Sequence, residues 1–183
     1  MKNWRIIILL LISVVACSED EDPQSKPQGK GGLLFNGKEY EVKLLAGDAG
    51  CTGNLSLSMS YDDTLNTRVS IVLNNFSAEE GVYTLRRNEV GQNECMLDIT
   101  VVSHYVYLFG NGGRPSGSYG IVEDKGINEL VITCYDSAAQ HLEGRFQMTL
   151  AIQNQRRIPN INYPDTLQIT YGTFVTDVLP LRE

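Results

Sequence analysis

Two-residue alternation is the feature that most limits what this chain can become. From Asn54 to Tyr61 the order is Asn-Leu-Ser-Leu-Ser-Met-Ser-Tyr. On an extended backbone Leu55, Leu57, Met59 and Tyr61 share one face, and Asn54, Ser56, Ser58 and Ser60 share the other. A helix, turning every ~3.6 residues, would scatter those apolar groups around its circumference; a strand gathers them. Arg68–Asn74 repeats the pattern, and the turn-rich residues 62–67 between the two predict a hairpin. Further strands are expected at Tyr40–Leu45, Gly81–Arg86, Met96–Val102, Tyr105–Phe109, Ser118–Val122, Glu129–Tyr135, Gly144–Ile152 and Thr166–Phe174. Asn36-Gly37 offers a tight turn for an opening hairpin. No segment carries a helical stripe, and Ser137 to Leu142 is too short for more than a turn. About ten short strands punctuated by turns read as an all-β domain, an antiparallel β-sandwich or barrel. Alternation alone does not separate those two.

The first 32 residues lack this pattern. Lys2 and Arg5 precede the apolar run Ile6–Ile12, and Ser13 to Ala16 ends in a small residue. These are the three parts of a secretory leader. The run is too short to cross a bilayer, which takes about 20 residues. Residues 23–32 are rich in Pro, Gly, Ser and Gln, the composition of a flexible linker. The expected organisation is a leader over 1–16, a tether over 17–32 and a single β-domain over 33–183, with Leu33 the first ordered residue.

Val14-Val15-Ala16-Cys17 resembles the lipobox of bacterial lipoproteins. The resemblance implies cleavage before Cys17, diacylglycerol on its sulfur, and an acyl chain such as palmitate on the new N-terminus. The chain would then be anchored to a membrane without spanning it. Each buried methylene contributes ~0.8 kcal/mol, so stable anchoring takes more than one chain. Ser18-Glu19-Asp20-Glu21-Asp22 follows at once, and its like charges keep it extended. It resembles the export signal of Bacteroidota surface lipoproteins, which implies an outer-membrane location facing the cell exterior. A plain spacer is the simpler reading.

The C-terminal half adds a second resemblance. A strand ending in Ile132-Thr133 leads through Asp136 to Gly144-Arg145-Phe146, and later to Gly172-Thr173-Phe174. This order is similar to a family of uncharacterised Bacteroidota lipoproteins over roughly residues 80–178. It implies a single β-domain and supplies no catalytic residue. Asp63-Thr64-Leu65, Asp136-Ser137-Ala138 and Asp165-Thr166-Leu167 resemble the O-glycosylation acceptor of exported Bacteroidota proteins, which implies sugars on Thr64, Ser137 and Thr166. Asp followed by Ser or Thr is equally ordinary turn chemistry.

An exported compartment permits disulfides. With Cys17 assigned to lipid, Cys51, Cys95 and Cys134 remain, and at most one pair forms among them. Cys51 sits in the turn-like Gly50-Cys51-Thr52-Gly53, and Cys95 follows the polar residues 88–94. Cys134 is in phase with Leu130 and Ile132, so it is expected to face the core as a small hydrophobe. Cys51–Cys95 is therefore the expected pair, with Cys134 free. Spacing alone leaves open that no disulfide forms.

Charge excludes one class of partner. The formal charge is −7, and losing a leader that holds Lys2 and Arg5 but no acid makes it −9. Such a chain, with no basic run, does not suit nucleic acid. The sole tryptophan, Trp4, lies in the leader, so any aromatic platform for a glycan must use tyrosine.

No catalytic signature is present: there is no Gly-x-Ser-x-Gly, His-Glu-x-x-His or Cys-x-x-Cys. His141, Glu143 and Arg145 alternate on one strand face, but His-x-Glu without a third ligand does not make a metal site. A solvated face is expected there. Residues 110–118 are glycine-rich without the Gly-Lys-Ser/Thr and helix of a phosphate loop. They read as a long loop at a sheet end, where binding residues tend to lie, with Arg114 and Tyr119 as the ligand-binding candidates. Asp62-Asp63 and Glu79-Glu80 would serve a glycosidase only if the fold carried them to a cleft. No catalytic residue, metal or cofactor is assigned. The expected function is a lipid-anchored surface protein that binds a glycan, a peptide or an envelope partner, as an accessory to an outer-membrane uptake system. A hydrolase on glycans or peptides and a purely structural envelope protein are the alternatives. Paired carboxylates in a cleft favour the hydrolase; a shallow tyrosine-lined face favours binding.

Overall fold

The computed structural model describes residues 29–49, 53–62, 67–87, 100–108, 115–155 and 164–179. Residues 1–28, which hold the expected leader, Cys17 and the acidic run, lie outside the described residues. Among the described residues ten strands follow one another: β1 (Gly29–Phe35), β2 (Lys38–Asp48), β3 (Asn54–Asp62), β4 (Thr67–Ser77), β5 (Gly81–Arg87), β6 (Thr100–Leu108), β7 (Pro115–Ile121), β8 (Glu129–Asp136), β9 (His141–Gln155) and β10 (Thr166–Asp177). No helix occurs among the described residues. The all-β expectation holds.

The pairings form a closed circuit, which is the arrangement of a barrel. β1 lies between β10 and β2, and β2, β3, β4 and β6 follow in order. β6 pairs with β7, β7 with β9, and β9 with β10, which returns to β1. That circuit has eight strands. A second route from β6 to β9 runs through β5 and β8 and makes nine. β7 pairs with the C-terminal half of β9, and β8 with its N-terminal half. The wall therefore forks. At the lower rim, where Asn36-Gly37 turns, one strand fills the gap between β6 and β9; at the upper rim, where β1 begins, two strands fill it. β5 and β6 are the parallel pair, over Leu85–Arg87 and Thr100–Val102; the other strand pairings are antiparallel.

Asn128 makes the fork possible. Where β7 has ended and β8 has not begun, its side-chain Oδ1 accepts the Thr149 N–H of β9 at 2.8 Å. Its Nδ2 donates to the carbonyls of Val122 (2.9 Å) and Lys125 (3.2 Å). Its own carbonyl accepts the Leu85 N–H of β5 at 3.0 Å. One side chain thus replaces the missing strand partner, so backbone groups at the branch stay satisfied.

Alternation builds the interior. Leu55, Leu57, Met59 and Tyr61 are all buried, and Val42, Leu44 and Ala46 of β2 join them. Phe35, Tyr40 and Tyr61 gather at the lower rim, with Tyr40 and Tyr61 ring centroids 4.5 Å apart. Across β9–β10, Gly172 pairs with Phe146 and Gly144 with Phe174. A Cβ on either glycine would enter the facing ring.

Several boundaries differ from expectation. Met96–Val102 and Tyr105–Phe109 were expected as two strands, whereas Thr100–Leu108 is one; Ser103-His104 is polar but keeps the backbone extended. β1 starts at Gly29, before the expected Leu33. Its glycines share the composition of a linker, yet Gly29 and Gly31 are demanded by packing: side chains there would run into Thr176 and the Thr173 carbonyl. Asn36-Gly37 forms the expected turn, with φ of 46° and 78°.

Candidate functional site

The outer surface of β10-β1-β2 carries a shallow trough of about 530 Å³. Its floor is β1, with Gly32 and Leu34; one wall is Glu39 and Glu41 of β2, the other Tyr171 and Thr173 of β10. Register sets this arrangement. Leu34 lies between Glu39 and Tyr171, and Gly32 lies between Glu41 and Thr173. Neighbouring strands are ~4.8 Å apart, so the walls stand about 10 Å from each other.

A bulge places Tyr171 on this surface. Along β10, Leu167 and Ile169 face inward, and strict alternation would send Tyr171 inward as well. The register with β9 shifts between Ile169 and Gly172, so Thr170 and Tyr171 both point out. The ring ends 59 % exposed, and Gly172 and Phe174 take the interior positions. Gly32 is the other half of the design. A Cβ there would meet nothing nearer than the Tyr40 carbonyl oxygen at 3.8 Å, so the fold itself leaves that floor position open.

The trough is acidic. Glu39 and Glu41 are exposed, and neither has an ion-pair or hydrogen-bond partner among the described residues. No cation lines it. The composition of this wall was visible in the sequence, but nothing local joined residues 32, 39, 41 and 171 until β1 paired with both neighbours.

The residues singled out from sequence fall elsewhere. Tyr119, a ligand-binding candidate beside the glycine-rich loop, is a core residue of β7, only 2 % exposed. Its hydroxyl donates to the Pro164 carbonyl at 2.9 Å, because it shares the inward face with Gly117 and Ile121. It is therefore not a surface ligand contact. Arg114, Thr64, Cys51 and Cys95 lie outside the described residues. Ser137 is exposed in the β8–β9 turn, and Thr166 is exposed at the start of β10. In that turn the Asp136 carboxylate accepts the N–H groups of Ala138 (2.8 Å) and Ala139 (3.0 Å), the turn chemistry that the Asp-Ser pair itself prescribes. Glu79 and Glu80 sit exposed in the bend between β4 and β5.

Cys134 is disulfide-bonded, which corrects the expectation of a free core thiol. Its partner lies outside the described residues. The reason is a bulge between Ile132 and Cys134, which breaks the phase that put Cys134 with Leu130 and Ile132.

His141 and Glu143 do meet: Nε2 and Oε1 are 2.9 Å apart at the upper rim. Asp177 of β10, rather than Arg145, completes the group, 3.5 Å from His141 Nδ1. A carboxylate on each ring nitrogen orients the imidazole. Among the described residues no group of three or more His, Cys, Asp or Glu side chains is arranged to hold a metal. No protein-family model, no curated protein and no solved structure matches this chain.

Proposed function

We propose that this chain is a lipid-anchored surface module of the outer membrane that binds a glycan or a peptide in the trough over β1 without transforming it. The trough is the observation that carries this reading: an exposed tyrosine, an open glycine floor and two acids unpaired among the described residues, on one face of the sheet. Binding sites combine such an amphipathic ring with a few placed polar groups. Hydrolysis fits the site less well. Glycosidase carboxylates stand on opposite sides of the scissile bond, whereas Glu39 and Glu41 belong to one wall. The lipobox-like Val14-Val15-Ala16-Cys17 supports the anchor, and Ser18 to Asp22 supports outward display.

Two experiments test the proposal. Cys17→Ser should release the protein from membranes; a variant that stays membrane-bound with a processed, lipid-free mass ends the anchor reading. Amide shift mapping against libraries of short glycans and peptides should move residues of β1, β2 and β10 together. Ligands that shift only other surfaces end the trough reading.

A further inference from the structure

We infer that the ligand of the trough is an extended peptide segment carrying alternate arginines, of the form Arg-x-Arg. This deepens the binding reading above and rests on it. The trough lies over β1 between β2 and β10, and its acidic wall is a pair two residues apart on an extended backbone. Alternate residues of a strand repeat every ~6.8 Å. An extended ligand laid along β1 repeats its side chains at that same spacing, so two arginines on one of its faces meet Glu39 and Glu41 together.

The rest of the site suits the same chemistry. Guanidinium groups pair with carboxylates through parallel N–H donors. Neither carboxylate has a partner among the described residues, so no pair there has to be broken. The Leu34 side of the floor takes the methylene stems. Tyr171 on the opposite wall presents an exposed ring to a cation. Gly32 leaves room for the ligand backbone to come close, and the internal packing does not need that room. A neutral sugar would use the tyrosine and bring no counter-charge to the acid pair; Lys30 and Lys43 lie one step along the same face, beyond Gly32 and Glu41. The chain's formal charge of −7 also draws a basic segment toward it.

The test uses the lipid-free domain with its tether, titrated with acetylated Ser-Arg-Ser-Arg-Ser amide and with cellotetraose, and followed by amide shifts and calorimetry. The arginine peptide should shift residues of β1, β2 and β10. Glu39→Gln with Glu41→Gln should weaken it on the order of tenfold, and Tyr171→Ala about threefold. Glu80→Gln, an exposed acid at another strand connection, should change nothing. Gly32→Val should abolish binding while holding or raising Tm, since a strand favours valine and nothing obstructs its Cβ. If cellotetraose shifts the trough and the peptide does not, the basic-peptide inference falls and the binding site stands. If the peptide binds but the double glutamine variant binds equally well, the inference also falls. If neither ligand moves the trough, both readings fall.

Discussion

Gly172 lies directly opposite Phe146 across the β9–β10 pair, and the converse pair, Gly144 and Phe174, sits two residues along. Each ring covers the position where the facing strand has no side chain. The ring centroids are 6.4 Å apart, so the two locks share one patch of core. Gly172→Ala puts a methyl group into the Phe146 ring. Overpacking of this kind costs about 1–3 kcal/mol. Denaturant unfolding should show that loss; a variant as stable as the parent would mean that the rings move aside freely.

Asn128 is the next position where a small change has a large expected effect. Asn128→Leu leaves the Thr149 N–H without its partner, while the Val122 carbonyl keeps only the Lys125 N–H. Each buried group left unsatisfied costs about 1–3 kcal/mol. Asn128→Asp keeps an acceptor for Thr149 but loses both donors, so its loss should fall between the parent and the leucine variant. Hydrogen exchange at Thr149 should accelerate most in the leucine variant. Unchanged protection there would remove Asn128 from its role at the branch.

The cysteines offer a test that reaches back to the anchor. Cys134 is disulfide-bonded. If Cys17 carries lipid, the partner is Cys51 or Cys95, and the expected Cys51–Cys95 pair does not form. Peptide mapping without reductant should link Cys134 to one of those two and leave the other as a titratable thiol. A Cys134–Cys17 link would end the lipidation reading outright. Reduction should cost about 2–5 kcal/mol of stability.

Acid should weaken one turn in a defined direction. Hydrogen bonds from Ala139 and then Ala138 hold the Asp136 carboxyl below the usual carboxylate range, with a smaller contribution from His141. A carboxyl lowered in the folded state stabilises above its unfolded pKa, and that contribution is lost as pH falls through the lowered value. Asp136→Asn does not titrate there. The Tm advantage of the parent over this variant should therefore shrink between about pH 5 and about pH 2. A constant difference across that range would assign the parent's advantage to something other than charge.

The sequence made the β class, most strand positions and the Asn36-Gly37 turn legible, because each depends on neighbours in the chain. The alternating run Asn54–Tyr61 buries the four residues that its pattern selects. What escaped was parity after a bulge. One extra residue at Thr170-Tyr171 turns a tyrosine from the core to the surface, and another near Thr133 moves Cys134 out of phase. No local composition marks either. Tyr119 lies in the expected strand Ser118–Val122, but the glycine-rich residues before it left no alternation to show that it shares an inward face with Gly117 and Ile121. The trough was invisible because β1 and β10 come from opposite ends of the domain, and Gly29 to Gly32 look like linker until both neighbours are in place.

The fork can be described in the language of crystals. A wall with one strand below and two above contains an extra half-row, which is a dislocation, and Asn128 sits at its core. Such a defect cannot be healed by a local adjustment; it can only be carried elsewhere. Were β9 to slide by two residues against β7 or β8, the core would have to shift too, and Asn128 would no longer face the Thr149 amide. A regular ring of strands has many nearly equivalent registers. This one is pinned at a single point, and the trough on its far wall inherits that pinning.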